Sequence, residues 1–284
     1  MNGPAMFESP APQEVIQHPK ALERARHILE RDRIDPNSFR DLYDNSQIDS
    51  DNAFVAERQQ RIDAECFRSQ EHRIMKEMAD IFEVIMYQVA EQADWFGRNA
   101  TISLPSLYDD YRNHVDSLIE IDQHDGISIS AISLDVTFKK SIGSKLREII
   151  DKLQQGQLTK VKYYESEKAS FRGEKTGVPH FVVGVSFDTL SELTNLFAEG
   201  KNSLLAGHQV QFQILDEIIL QAECFAEIGK KNGNTNVEDA YGRVARIFRG
   251  IYEERSKVIT DKGTRDHFFE RLQDDLRGIE LERF

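Results

Sequence analysis

Residues 113–138, NHVDSLIEIDQHDGISISAISLDVTF, decide the fold. Val115, Leu118, Ile119 and Ile121 form an apolar run that stops at the turn-forming stretch Asp122–Gly126. Ile127–Phe138 is rich in β-branched residues and alternates, the clearest strand pattern in the chain. The two runs predict a hairpin around Gln123–Gly126. Working upstream, Ala100–Leu104 reads as a short strand and Pro105–Asp110 as a polar loop. Before them a long helix is expected over about 55–96. Ile74, Met78, Ile81, Phe82, Ile85 and Val89 recur there every three or four residues, and Gly97 ends it. Downstream, Ile142, Leu146, Ile149, Ile150 and Leu153 place a helix over Ser141–Leu153. Strands are expected at Thr159–Ser166 and Pro179–Phe187, joined by a loop over 167–178. From Asp188 the pattern is helical, over about 188–199, 204–230, 236–258 and 262–276. This order specifies an α/β (α+β) fold, with a central mixed sheet flanked by helices.

Four segments are expected: a disordered leader (1–17), an N-terminal helical segment (18–67), an α/β core (68–200) and a helical C-terminal extension (201–284). Hydrophobic residues at 39% and charged residues at 30% suit a soluble globular chain. No apolar run reaches the roughly 18 residues of a membrane span. The N-terminus lacks the basic and apolar regions of a signal peptide. Cys66 and Cys224 stand far apart in sequence, so free thiols and a cytoplasmic location are expected. HExxH, CxxC, the Walker loop, GxGxxG and GxSxG are all missing from the sequence. A net charge of −13 argues against a generic nucleic-acid binder. The charge is uneven, however. Residues 75–137 hold twelve acidic against three basic side chains, and residues 138–175 hold ten basic against five acidic. That arrangement fits a metal site beside a phosphate track, and equally two solvated faces.

The order helix, three strands, helix, strand over about 68–166 resembles the core of the PD-(D/E)XK nuclease superfamily, which has the restriction-endonuclease-like fold. The resemblance covers roughly 100 residues and makes the chain a divergent bacterial form. SLYDDYRNHVDSLIEI and SLDVTF, with Gly156-Gln157-Leu158 after them, are also similar to a bacterial family that supplies no activity. The superfamily places a metal-binding Asp near the start of its second strand, which matches Asp116 in Asn113-His114-Val115-Asp116. Its (D/E)XK motif matches Asp135-Val136-Thr137, with Thr137 standing where a lysine is usual. Members of the superfamily relocate that lysine. Lys139 shares the strand face of Asp135, Lys140 or Lys145 reaches from the helix start, and Lys162 from the next strand. A helix carboxylate often joins the site, and Glu83 is the choice here, with Glu77 and Glu91 as rivals.

The resemblance thus implies Mg²⁺ or Mn²⁺ on Asp116, Asp135 and the Val136 carbonyl, with Lys139 and Glu83 as further catalytic groups. Lys140, Lys145 and Lys162 would contact nucleic acid, DNA ahead of RNA. Mg²⁺ takes few carboxylates and completes its shell with water and phosphate oxygens. An Asp between Leu134 and Val136 needs a partner in any case. Asp109 and Asp110 are candidate extra ligands, and His114 a candidate base. Thr137 and the acidic net charge support an alternative, an inactive nuclease-fold interaction module working through its helical extension. The broad apolar run from Val210 to Phe225 suits packing on the core or a homodimer interface.

Overall fold

The computed structural model describes residues 19–122, 129–137, 142–166, 168–259 and 261–283. The leader, the turn at Gln123–Gly126, Lys139 and Lys140 lie outside the described residues. α1 (Pro19–Asp32) precedes a short 3-10 turn, Pro36–Phe39, whose cap Asp35 accepts the Asn37 amide. α2 (Asn45–Arg68) and α3 (Gln70–Val84) follow, then a π-helical turn at Ile85–Val89 and the single turn α4 (Ala90–Gln92). The helix expected over 55–96 is therefore broken. Ser69 takes an extended backbone, and its hydroxyl accepts from the His72 amide to start α3 afresh. The recurring apolar residues, Ile74 to Val89, all lie beyond this cap and so do not report the break.

β1 (Ala100–Ser103) leads into α5 (Leu107–Asn113), where a loop was expected over Pro105–Asp110. The signal lay in Ser106-Leu107-Tyr108-Asp109, a capping box. Ser106 Oγ accepts from the Asp109 amide at 3.1 Å and donates to Asp109 Oδ2 at 2.8 Å. The cap has a second consequence, since it holds Asp109 fully buried. There the carboxylate also accepts from Asn113 Nδ2 and from the amides of Lys162 and Tyr163, at 2.8, 2.7 and 3.0 Å. Asp109→Ala leaves several buried donors unmatched, an expected loss of about 2 kcal/mol read by urea unfolding.

β2 (Ser117–Asp122), β3 (Ile129–Thr137), α6 (Gly143–Gln154), β4 (Thr159–Ser166), β5 (Phe171–Val178) and β6 (His180–Gly184) complete the α+β unit. The main sheet has the order β1-β2-β3-β6, antiparallel except for the parallel β3–β6 pair. Two expectations are corrected here. The strand parallel to β3 is β6, and β4 pairs with β5 in a separate two-stranded sheet. Moreover, β5 occupies the segment read as a loop over 167–178, because its polar, glycine-bearing sequence FRGEKTGV carries no apolar alternation. Tyr163 and Tyr164, neighbours along β4, are both buried. Alternation holds along β4, but both of its faces are covered. Tyr163 packs with Phe39, Ile48, Tyr43 and Tyr108, and Tyr164 packs with Val115, Leu118 and Ala131.

α7 (Phe187–Ala198), α8 (Asn202–Ala206), α9 (Val210–Lys231), α10 (Thr235–Val258) and α11 (His267–Arg283) follow. α9 closes the open edge of β6. Gln221 accepts from the Val182 amide at 3.0 Å and donates to its carbonyl at 2.8 Å, as a neighbouring strand would. One turn away, Glu217 accepts from the Gly184 amide at 2.8 Å and Gln213 donates to the Gly184 carbonyl at 3.1 Å. Gln213, Glu217 and Gln221 recur every four residues on an otherwise apolar surface, which is the sequence trace of this edge closure. No helix among the described residues is long and apolar enough to cross a membrane.

Candidate carboxylate site

The β2–β3 ladder ends at Ser117 opposite Leu134, and just before it the Asp116 amide donates to the Leu134 carbonyl at 2.8 Å, which brings Asp116 to the same end of β3 as Asp135. Asp116 precedes β2 itself, which begins at Ser117 and not at Asn113 as expected. α5 runs through Asn113, and exposed His114 turns the chain in a left-handed conformation (φ 58°, ψ 45°) two residues before Asp116. Asp116 Oδ2 accepts from the Val136 amide at 2.7 Å, which fixes one carboxylate oxygen against β3. Alternation along β3 gives Ser133, Asp135 and Thr137 a common face. Asp135 is buried, and its Oδ1 accepts from Lys145 Nζ at 2.7 Å. Lys145 sits in the first turn of α6, so the lysine that reaches this carboxylate comes from the helix. Asp116, Asp135, Val136, Thr137 and Lys145 line one cavity of about 330 Å³ together with Asp110, Lys76 and Arg58.

Asp110 and Glu83 are joined through a residue that sequence patterns did not single out. Arg33 lies 2.5 Å from Glu83 Oε1 and 3.4 Å from Asp110 Oδ2, and a bridge between its backbone and Leu104 anchors it beside β1. Burial pushes the Glu83 and Asp110 carboxyls up to about 7, against the pull of Arg33. For Asp116, burial and then the Asp135 and Asp110 charges raise the carboxyl well above its usual range. Burial disfavours the Arg33 cation, yet the Glu83, Asp110 and Asp116 carboxylates outweigh it and hold its proton more tightly than usual. Like charges are thus gathered at one end of β2 and β3, where each raises the cost of ionising the next. Glu83 stands behind Arg33 and does not line the cavity, whereas Asp110 does. Glu77, the rival helix carboxylate, pairs with Arg26 at 3.5 Å.

A metal fit rests on few ligands. Asp116 Oδ1 and Asp135 Oδ2 carry no hydrogen bond among the described residues, and Val136 lines the same cavity. No group of three or more His, Cys, Asp or Glu side chains is gathered closely enough to hold an ion among the described residues. Two carboxylates lining one solvent-open cavity suit Mg²⁺, which keeps several waters, better than they suit an all-protein cage.

Lys162 was expected to contact nucleic acid, and the structure places it in the interior. Its ammonium pairs with Asp51 of α2 and lies 5.1–5.4 Å from the ring centres of Tyr43, Tyr108 and Tyr163. The group is satisfied by a carboxylate and three aromatic faces. Lys162→Met is expected to lower the urea midpoint while leaving affinity for an oligonucleotide within about twofold, since no rim charge is removed. A tenfold weaker affinity in fluorescence anisotropy would contradict that placement.

Comparison of the chain with protein-family models, with curated proteins and with solved structures gave no match.

Proposed function

We propose that the protein is a metal-dependent phosphodiesterase acting on nucleic acid, with a divergent PD-(D/E)XK site at Asp116, Asp135 and Lys145. The observation that carries this reading is Asp116 and Asp135 lining one cavity with a lysine on Asp135, at the end of a β1-β2-β3-β6 sheet whose last strand is parallel to β3. Lys145 supplies the cation that Thr137 does not, from a helix and not from the strand. Asp116, Asp135 and the Val136 carbonyl would hold Mg²⁺ or Mn²⁺. When bound, such an ion supplies charge neutralisation at the phosphate and a more acidic water. The chain's own contribution is positional. Asp116 is fixed by the Val136 amide, and the Lys145 ammonium, held on Asp135, would help to stabilise negative charge on a phosphoryl oxygen once Asp135 turns to an ion. Burial keeps Glu83 and Asp110 partly protonated near neutral pH, which limits repulsion of an anionic substrate.

The alternative, a nuclease-like fold serving only as an interaction module, draws on the Lys145–Asp135 ion pair, which already satisfies Asp135 without any ion. Incubation of the full chain with supercoiled DNA, single-stranded DNA and RNA in Mg²⁺ or Mn²⁺ separates the two readings. Cleavage that stops on chelation supports the hydrolase. Intact substrates, with no heat of Mn²⁺ binding by calorimetry, support the module.

A further inference from the structure

On the α6 side of Lys145 the site opens into a second, smaller cavity of about 90 Å³, which shares Asp135, Lys145 and His114 with the first. Its charged groups cancel in pairs. Lys145 is held by Asp135, and Lys152 lies 2.9 Å from Glu148. The polar groups left over are neutral: His180, Asn113, Gln157 and Thr159, above an apolar floor of Ile149 and Leu153.

His180 is the informative member. It begins β6, is 95% buried (5% exposed), and its backbone N–H and C=O are both bonded to the Tyr241 hydroxyl, at 3.1 and 3.2 Å. Its Nδ1 meets Ser133 Oγ at 2.9 Å. No partner of its Nε2 is seen among the described residues, and the ring borders the cavity. Burial lowers the ring to about 4, against the pull of Asp135, so the imidazole is neutral at working pH. A buried polar atom open to a cavity calls for a water or a ligand group.

We infer that this cavity is a subsite for a ribose hydroxyl beside the phosphodiester held at Asp116 and Asp135, making the preferred substrate a ribonucleotide strand. The inference rests on the hydrolase reading above. Three features favour a sugar hydroxyl over a second phosphate or a base. The paired charges leave no net field for an anion. The cavity is small, about 90 Å³, with an apolar floor beside its polar groups, which suits the edge of a sugar. A hydroxyl both donates and accepts, so it satisfies Nε2 in either neutral tautomer, and it is the group that separates RNA from DNA.

The test uses matched all-ribo and all-deoxy oligonucleotides, and deoxy strands carrying one ribonucleotide, incubated with the full chain and Mn²⁺. The wild type is expected to cleave the ribo-containing strands about tenfold faster, the worth of one net hydrogen bond. His180→Asn keeps a group at the Nδ1 position and removes Nε2, so the ratio should fall below about twofold. His180→Gln, which restores a polar atom near Nε2, should recover part of it. Thr159→Val at the cavity rim should also lower the ratio, and it guards against misfolding of the buried variants. Equal rates on ribo and deoxy strands overturn the subsite and leave the hydrolase reading intact. Cleavage of neither strand overturns the hydrolase reading instead. Binding of the same oligonucleotides in EDTA, followed by anisotropy, then decides the subsite. A ribo preference lost in His180→Asn sustains it, and equal affinities overturn it.

Discussion

Asp135→Asn is expected to reduce Mg²⁺- or Mn²⁺-dependent cleavage about a thousandfold, the scale set by removing a central electrostatic group from a phosphoryl-transfer site. The change keeps the shape of the side chain and removes only its charge. Asp116 gains from this, because the Asp135 charge is one cause of its raised carboxyl pKa. Lys145 loses its partner, but its side chain is about one third exposed and can be solvated. The variant should therefore unfold at the same urea concentration as the wild type or slightly above it. Loss of cleavage together with loss of the Mn²⁺ binding heat would then report on chemistry and not on folding. Cleavage retained within about threefold would remove Asp135 from the reaction and favour the interaction module.

The chain order of the main elements was legible because its signals are local. β3 alternates over nine residues and α6 carries its apolar stripe, whereas α5, marked only by a capping box, was read as a polar loop. That Asp116 and Asp135 come to one end of the β2–β3 pair was also within reach, since two apolar runs around a turn signal predict an antiparallel pair. Other features depend on long-range pairing and leave no local trace. β5 forms because β4 and the main sheet are there to receive it, not because FRGEKTGV resembles a strand. The strand that completes the main sheet is identified by the crossover through α6 and the β4–β5 hairpin, and local pattern favoured the wrong one. At the site, the carboxylates announced themselves as charges in apolar runs, whereas Arg33 and His180 did not. Arg33 lies outside any periodic stripe, and it is folding that brings it to Glu83, fifty residues later. His180 likewise looks like any strand histidine until Ser133 is placed beside it.

Arg33→Met is expected to be the most destabilising single change near the site, by about 4 kcal/mol at pH 8. The Arg33 side chain is 11% exposed, and it is the only cation within 4 Å of either the Glu83 or the Asp110 carboxylate among the described residues. Methionine fills the space but leaves both carboxyls buried without a counter-charge. The sign of the pH dependence follows from their titration. In the wild type both carboxyls are raised to about 7 from ordinary values of 4.5 and 3.8, so the folded state binds more protons than the unfolded state between about pH 4 and 7. Stability from these two groups accordingly falls as pH rises through that window and levels off above it. Without Arg33 the folded carboxyls would hold their protons to higher pH still, which widens the window and deepens the fall. At pH 5.5 both groups are neutral in the folded variant and little charge is buried. The loss there should be smaller, about 2 kcal/mol, from the missing hydrogen bonds and packing. Urea unfolding of both proteins at pH 5.5 and pH 8 tests the claim. A penalty that is equal at the two pH values, or larger at pH 5.5, would mean that Arg33 acts by packing alone and that Glu83 and Asp110 do not depend on its charge.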